Sequence, residues 1–266
     1  MEIFSKLGRI FYGSAIAATG IQQFFFGEFF QILFPPLPYQ IPGLLFVAYL
    51  VAFLLFIGGT AIALNKKTKF FAYTLGSLFL LLFMFFYVPY ELFVSPYSPR
   101  HLGVLVIPLK ELAYAGGAFV IAGKMPYVDN TKGKSLFVDF LEKITPFGRI
   151  MFSFTMTSFG VSHFYYTDIV KNMVPGWIPF HLFWTYFAGI ALISAGVAII
   201  LKFRIKLIGN LLGTMIFLWF LVLHIPGAIA NPLSNNGNEV TSAFSALAFS
   251  GIAFVIANGQ GFVRKS

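Results

Sequence analysis

Ala118-Phe119-Val120-Ile121-Ala122 is written a second time in this chain, at Ala253-Phe254-Val255-Ile256-Ala257. Leu112-Ala113 and Gly116 precede the first copy at the spacing at which Leu247-Ala248 and Gly251 precede the second. Further back, Pro89 returns as Pro226, and Pro38, Ile41, Pro42 and Tyr49 return as Pro175, Ile178, Pro179 and Tyr186. Gly20, Phe24 and Glu28 return as Gly160, Phe164 and Asp168, and Gly8-Arg9-Ile10 returns as Gly148-Arg149-Ile150. The offset falls only from 140 residues to 135 along the way. Apolar composition alone scatters Leu and Phe matches. It does not produce ordered Gly, Pro and acidic matches across four consecutive segments, so the chain reads as a duplication.

Composition sets the class. Of 266 residues, 58% are hydrophobic, 36 are Phe and only 10% are charged. A soluble domain carries about 25% charged residues. This chain has too little polar surface to cover itself in water and must be solvated by lipid. The absence of cysteine excludes disulfides, thiol redox chemistry and cysteine metal ligation within the chain. A formal charge of +9 does not point to nucleic acid, because the cations sit in short loops beside apolar runs.

A membrane span needs ~20 mostly apolar residues. Eight segments qualify: 8–27, 44–64, 70–89, 104–123, 148–167, 181–201, 206–226 and 241–258. Their apolar runs are continuous rather than alternating, which predicts helices and not barrel strands. The first run reads as an uncleaved span. Placing the N-terminus in the cytoplasm puts all basic residues but Arg100, Lys110 and Lys171 on the inner side, 15 of 18. Four spans per repeat make the two halves parallel rather than inverted. The expected fold is therefore an all-α integral membrane protein with eight transmembrane helices, arranged as two parallel four-helix bundle repeats side by side. The repeats are 1–124 and 147–266, joined by a cytoplasmic linker, 125–146, in the cell's inner (cytoplasmic) membrane with both termini cytoplasmic. The middle of the linker, Ser135 to Leu141, has amphipathic character, but its composition favours a solvated connection over a helix on the leaflet.

Polar residues inside spans cost about 2.5–3.5 kcal/mol each when ionisable, so their placement is informative. Nearly all lie toward the outer ends. The first half carries Gln22, Gln23, Glu28, Tyr87, Glu91, Arg100, His101, Lys110 and Glu111. Tyr87 and Glu91 share a face if the helix continues through Pro89. Lys110 and Glu111 read either as a structural ion-pair network with Glu91 and Arg100 or as a polar ligand site. The second half carries His163, Asp168, Trp177, His181 and His224. His163 stands where the first half has Gln23, and His224 where it has Tyr87. Lys110 and Glu111 align with Ser245 and Ala246. Two histidines at similar depth suit a quinone carbonyl or a proton relay better than haem, and ligand-free interfacial histidines are the commoner arrangement. No phosphate loop, nucleophile elbow or zinc-protease helix appears, which leaves open whether the protein is an enzyme.

Phe159-Gly160-Val161-Ser162-His163-Phe164, then Val174-Pro175-Gly176-Trp177-Ile178-Pro179, then Tyr186 before a Gly/Ala-rich span, resembles the DoxX/DoxD-like family of four-helix membrane proteins. His224-Ile225-Pro226-Gly227-Ala228-Ile229 resembles that family's motif after its third helix. The resemblance covers most of residues 147–258, and the first half fits the same frame less well. It implies a tandem fusion of two such units and a link to membrane redox processes, with quinone as an acceptor in DoxD-type members. The leading expectation is a redox-associated subunit that binds a quinone-like lipophile near the outer leaflet through His163, His224, Asp168, Trp177, Lys110, Glu111, Glu91 and Tyr87. The partners expected are the lipid bilayer and a membrane or peripheral oxidoreductase. A non-enzymatic scaffold or assembly factor, and a small-solute or lipid transporter, are the alternatives.

Overall fold

The structure, a computed structural model, describes residues 2–36, 41–95, 106–125, 136–234 and 236–259. Among these residues every regular element is helical. Eight helices are long: α1 (Glu2–Phe26), α2 (Leu44–Ala63), α3 (Thr68–Phe93), α4 (Val106–Lys124), α5 (Gly148–Tyr165), α6 (His181–Ile200), α7 (Ile205–Ala230) and α8 (Asn238–Asn258). Five of them, α2, α3, α6, α7 and α8, are long and apolar enough to cross a membrane. The other three also carry polar side chains along their length, among them Arg9, Gln22 and Gln23 on α1, Lys110 and Glu111 on α4, and Arg149 and His163 on α5.

Among the described residues, two short α-helices and a 3-10 turn, Thr145–Phe147, complete the regular structure. Leu136–Ile144 forms a linker helix, which corrects the expectation of a solvated connection. Its Leu141 is buried while Leu136, Phe137 and Phe140 face outward. Glu142 ties it to Lys69 at 3.7 Å, and Thr145 accepts or donates to the Tyr73 hydroxyl at 3.4 Å. One leucine buried on the protein with two phenylalanines left outward makes the segment amphipathic. Thr167–Lys171 is a single turn after α5.

Each helix packs on its neighbours in sequence, α1 on α2, α2 on α3, and so on to α7 on α8. The circle is closed by α8 packing on α1, and α4 and α8 meet across its middle. The first helix of each half thus lies against the last helix of the other half, α1 on α8 and α5 on α4. Helix α1 also reaches α4 through the Tyr12 hydroxyl, which donates to the Tyr114 carbonyl at 2.9 Å.

Glycines set these closures. A Cβ on Gly8 would lie 2.4 Å from the Gly251 carbonyl, and one on Gly251 would lie 2.5 Å from the Gly8 carbonyl. Gly116 and Gly148 meet in the same way, at 2.4 and 2.5 Å. Such distances exclude any side chain and bring helix backbones into direct contact. Gly8 and Gly148 are one pair of repeat equivalents, and Gly251 and Gly116 are another. The contacts match elsewhere too. Arg9 donates to the Ile62 carbonyl and Arg149 to that of Ile199. Phe24 stacks on Tyr49 and Phe164 on Tyr186. Tyr114 meets its own counterpart Phe249, ring centroids 5.5 Å apart.

Two helices contain a wide turn. Phe83–Tyr87 in α3 and Phe220–His224 in α7 are π-helical, with Val88 N–H donating to the Phe83 carbonyl and Ile225 N–H to that of Phe220. Each wide turn stands immediately before a Val-Pro or Ile-Pro step. Proline lacks an N–H and its ring clashes with the carbonyl four residues back; widening the preceding turn relieves the clash without ending the helix. The helices therefore run through Pro89 and Pro226 to Phe93 and Ala230.

Candidate functional site

The two π-turns end on Tyr87 and His224, the aligned pair in which the halves differ. Tyr87 is 2% exposed and its hydroxyl has no hydrogen-bond partner among the described residues. Its charged neighbours are Glu111 on α4 and Glu91 one turn further along α3. Glu111 is fully buried, and neither of its carboxyl oxygens is partnered. His224 has a buried, unpartnered Nδ1, and Lys110 is the charged group near it. Glu239, near the start of α8, is the carboxylate near Lys110. The Glu239 carboxylate leans on the backbone of α7, at 3.1 Å from where a Gly227 Cβ would be.

Consecutive residues on α4 therefore point to different sides. Lys110 addresses α7 and α8 of the second half, with His224 and Glu239. Glu111 addresses α3 of the first half, with Tyr87 and Glu91. A one-residue step on a helix turns the side chain by about 100°, which suffices for this division. The expected ion-pair network is not formed by Lys110 and Glu111 together; no contact within 4 Å joins Lys110 to a carboxylate among the described residues. Arg100 and His101 lie outside those residues.

A polar chain runs beneath this layer along the α1–α8–α4 contact. Gln22 Nε2 donates to the Gly237 carbonyl at 2.8 Å, and the Thr241 hydroxyl reaches Gln22 Oε1 at 3.2 Å. Ser245 donates to the Thr241 carbonyl at 2.8 Å and accepts from the Tyr114 hydroxyl at 2.8 Å. Satisfied in this way, these groups specify packing. They contrast with Glu111, Tyr87 and His224, whose partners are missing.

The remaining predicted residues are elsewhere. His163 is half-buried on α5 and donates Nδ1–H to the Phe159 carbonyl at 2.7 Å, since a carbonyl can only accept. That fixes Nε2 as its free acceptor. Helix α5 packs on α4 and α6, not on α7, so His163 and His224 do not face one another. Asp168 is exposed on the short helix, 2.6 Å from Lys171, whose ammonium holds the carboxyl below its ordinary range. Trp177 is 72% exposed in the loop before α6. Gln23, the counterpart of His163, crosses to the Ala48 carbonyl at 2.7 Å. Glu28 accepts from Asn236 Nδ2, tying the end of α1 to the loop before α8.

No family model, curated protein or solved structure matches this chain. The site therefore has to be read from its own chemistry. Among the described residues no group of three or more His, Asp or Glu is placed to hold a metal ion. The layer offers a carboxyl, a phenol, an imidazole and an ammonium, three of them with unmet hydrogen-bonding capacity. Glu239 was not among the predicted residues. It stands in the first turn of α8, where an acidic residue is favoured by the helix N-terminus whatever else it does, so the sequence carries no separate signal for it.

Proposed function

We propose that the chain is a polytopic membrane protein of eight spans, a parallel duplication of a four-helix unit with both ends cytoplasmic. It binds a lipophile with a polar, hydrogen-bonding head of the quinone type beside α4, whose Glu111 faces Tyr87 on α3 and whose Lys110 faces His224 on α7. The repeats are 1–124 and 147–266, with 125–146 between them. The matched glycine closures, arginine–carbonyl bonds and aromatic stacks support the duplication. The observation that carries the binding reading is the set of unmet polar groups on the two sides of α4: both oxygens of Glu111 and the Tyr87 hydroxyl toward α3, and Nδ1 of His224 on α7. A buried polar group without a partner costs about 1–3 kcal/mol, and a ligand that supplies the partner recovers it. Localised π-turns are often found where a helix serves a ligand. Lys110 and Glu239 would orient the head from the opposite side.

The resemblance to DoxX/DoxD-like proteins agrees with this reading and adds a redox-associated role beside a membrane or peripheral oxidoreductase. A short-chain benzoquinone titrated into the protein in lipid nanodiscs tests it. Trp219, one turn before His224, is expected to report binding by fluorescence quenching. His224→Ala and Glu111→Gln are each expected to weaken binding by roughly tenfold, the value of one hydrogen bond to a polar head. Absence of saturable quenching in the wild type, or affinities unchanged in both variants, overturns the reading.

A further inference from the structure

The opposite end of the bundle holds a feature that the duplication makes interpretable. In the first half, the linker helix docks at the start of α3. Glu142 pairs with Lys69, Leu141 is buried, and Thr145 reaches both Tyr73 and the Gly123 backbone. The equivalent place in the second half is the start of α7. There Lys206 corresponds to Lys69, Asn210 to Tyr73 and Asn258 to Gly123. A groove of about 690 Å³ occupies this place. That volume falls within the roughly 300–1,000 Å³ of small-ligand sites. All its lining residues come from the one segment 202–214, so no other element covers it among the described residues.

We propose that this groove holds one anionic phospholipid. Its phosphate lies among Lys202, Arg204 and Lys206, and its acyl chain lies along Leu207 and Leu211. Three cations line this place, whereas in the corresponding first-half turn, with Lys66, Lys67 and Lys69, the linker-helix carboxylate of Glu142 offsets one of the three. None of the three has an ion-pair partner among the described residues. Lys202 and Arg204 both take left-handed backbone conformations, φ 60° and 40°, in the tight turn that brings them beside the first turn of α7. Below them, Leu207 and Leu211 are one turn apart and more than half their surface or close to it is open, 50% and 59%. A charged head above an apolar stripe is the shape of a phospholipid at a membrane interface, and basic clusters there attract anionic lipid.

A second amphipathic helix fits the place less well. The first-half seat is apolar and aromatic. In the second half, Asn210 and Asn258 bond to one another across it, so a leucine like Leu141 would find amides. Residues after Gly259 carry Arg264 and Lys265 and do not complement the groove's charge.

Native mass spectrometry of the full chain in mild detergent, titrated with phosphatidylglycerol or phosphatidylcholine, tests this. The wild type is expected to bind phosphatidylglycerol in preference. The variant K202Q/R204Q/K206Q is expected to bind it roughly 100-fold more weakly, at about a factor of five per cation. K66Q/K67Q, on the first half, is expected to retain the wild-type affinity, and an unchanged thermal midpoint in both variants shows that the fold is kept. Equal binding of the two lipids, or unaltered phosphatidylglycerol binding in the triple variant, overturns the proposal. Glycerol phosphate binding as tightly as the lipid also overturns it, because the acyl stripe would then contribute nothing. So does displacement of phosphatidylglycerol by a peptide of residues 136–144, which would make the groove a helix-docking surface.

Discussion

Gly116→Val is expected to break the contact between α4 and α5 and to cost about 3 kcal/mol or more, at the upper end of overpacking effects. A Cβ there would sit 2.4 Å from the Gly148 carbonyl, 2.9 Å from the Met151 Cβ and 3.0 Å from the Phe152 amide. Two of these three obstacles are backbone, which cannot change rotamer to make room. The helices must separate, and the loss spreads along a line of close contact that includes Phe119 against Gly148. Gly8→Val is expected to have a comparable effect on the α1–α8 contact, where its Cβ would meet the Gly251 carbonyl, Phe254 and Val255. Gly176→Val, in a loop with nothing within 4 Å of its Cβ, is the control and is expected to be near neutral. Unfolding midpoints in a denaturing-detergent titration check all three. Gly116→Val with wild-type stability would mean that α4 and α5 do not pack through this glycine. The chain-entry helices of both halves would then need another closure.

The glycines were visible in the sequence, but their partners were not. Gly8 and Gly116 stand out in the sequence as members of the repeated pattern, and small residues in spans commonly allow close helix approach. Nothing in the residues themselves says that Gly8 faces the last helix of the other half rather than a helix of its own. Pairing is decided by which faces meet, and faces that are apolar all round carry little directional signal. The π-turns were hidden for a related reason. Pro89 and Pro226 announced a break in regular hydrogen bonding, but a kink, a stop and a widened turn are alike in sequence. The structure selects the widened turn, and with it the side of the helix on which Tyr87 and His224 stand. Depth could be read from distance along a span, which is why His163 and His224 looked like a pair. Azimuth could not, and the two histidines belong to helices that do not touch. Lys110 and Glu111 were the reverse case. Adjacent in sequence and alike in depth, they invited a single network, and the helical turn between them sends each to a different half. The linker helix is hard to read because Lys132, Lys134 and Asp129 dominate the composition of its segment, whereas the docking rests on Leu141, Glu142 and Thr145.

Glu111→Met is expected to make the protein more stable, by about 1–3 kcal/mol, while abolishing binding of the quinone-type head. The carboxyl is fully buried and both oxygens lack partners, so folding removes them from water or interfacial solvent without replacement. Methionine fills nearly the same volume with no polar atom to satisfy, and such exchanges are often neutral or favourable in a packed interior. Glu111→Gln keeps the shape and a polar end, and is expected to leave stability within about 0.5 kcal/mol of wild type. Tyr87→Phe removes the neighbouring unpartnered hydroxyl. It is expected to act in the same direction as Glu111→Met, with less than the full sum when the two are combined, because the two groups share one environment. A protein that gains stability and loses binding by the same substitution holds that residue for function. If Glu111→Met were instead destabilising by more than about 1 kcal/mol, the carboxyl would have a partner in the folded protein. The unmet layer would then be structural, and the binding site would have to be sought on the Lys110 side, with His224 and Glu239.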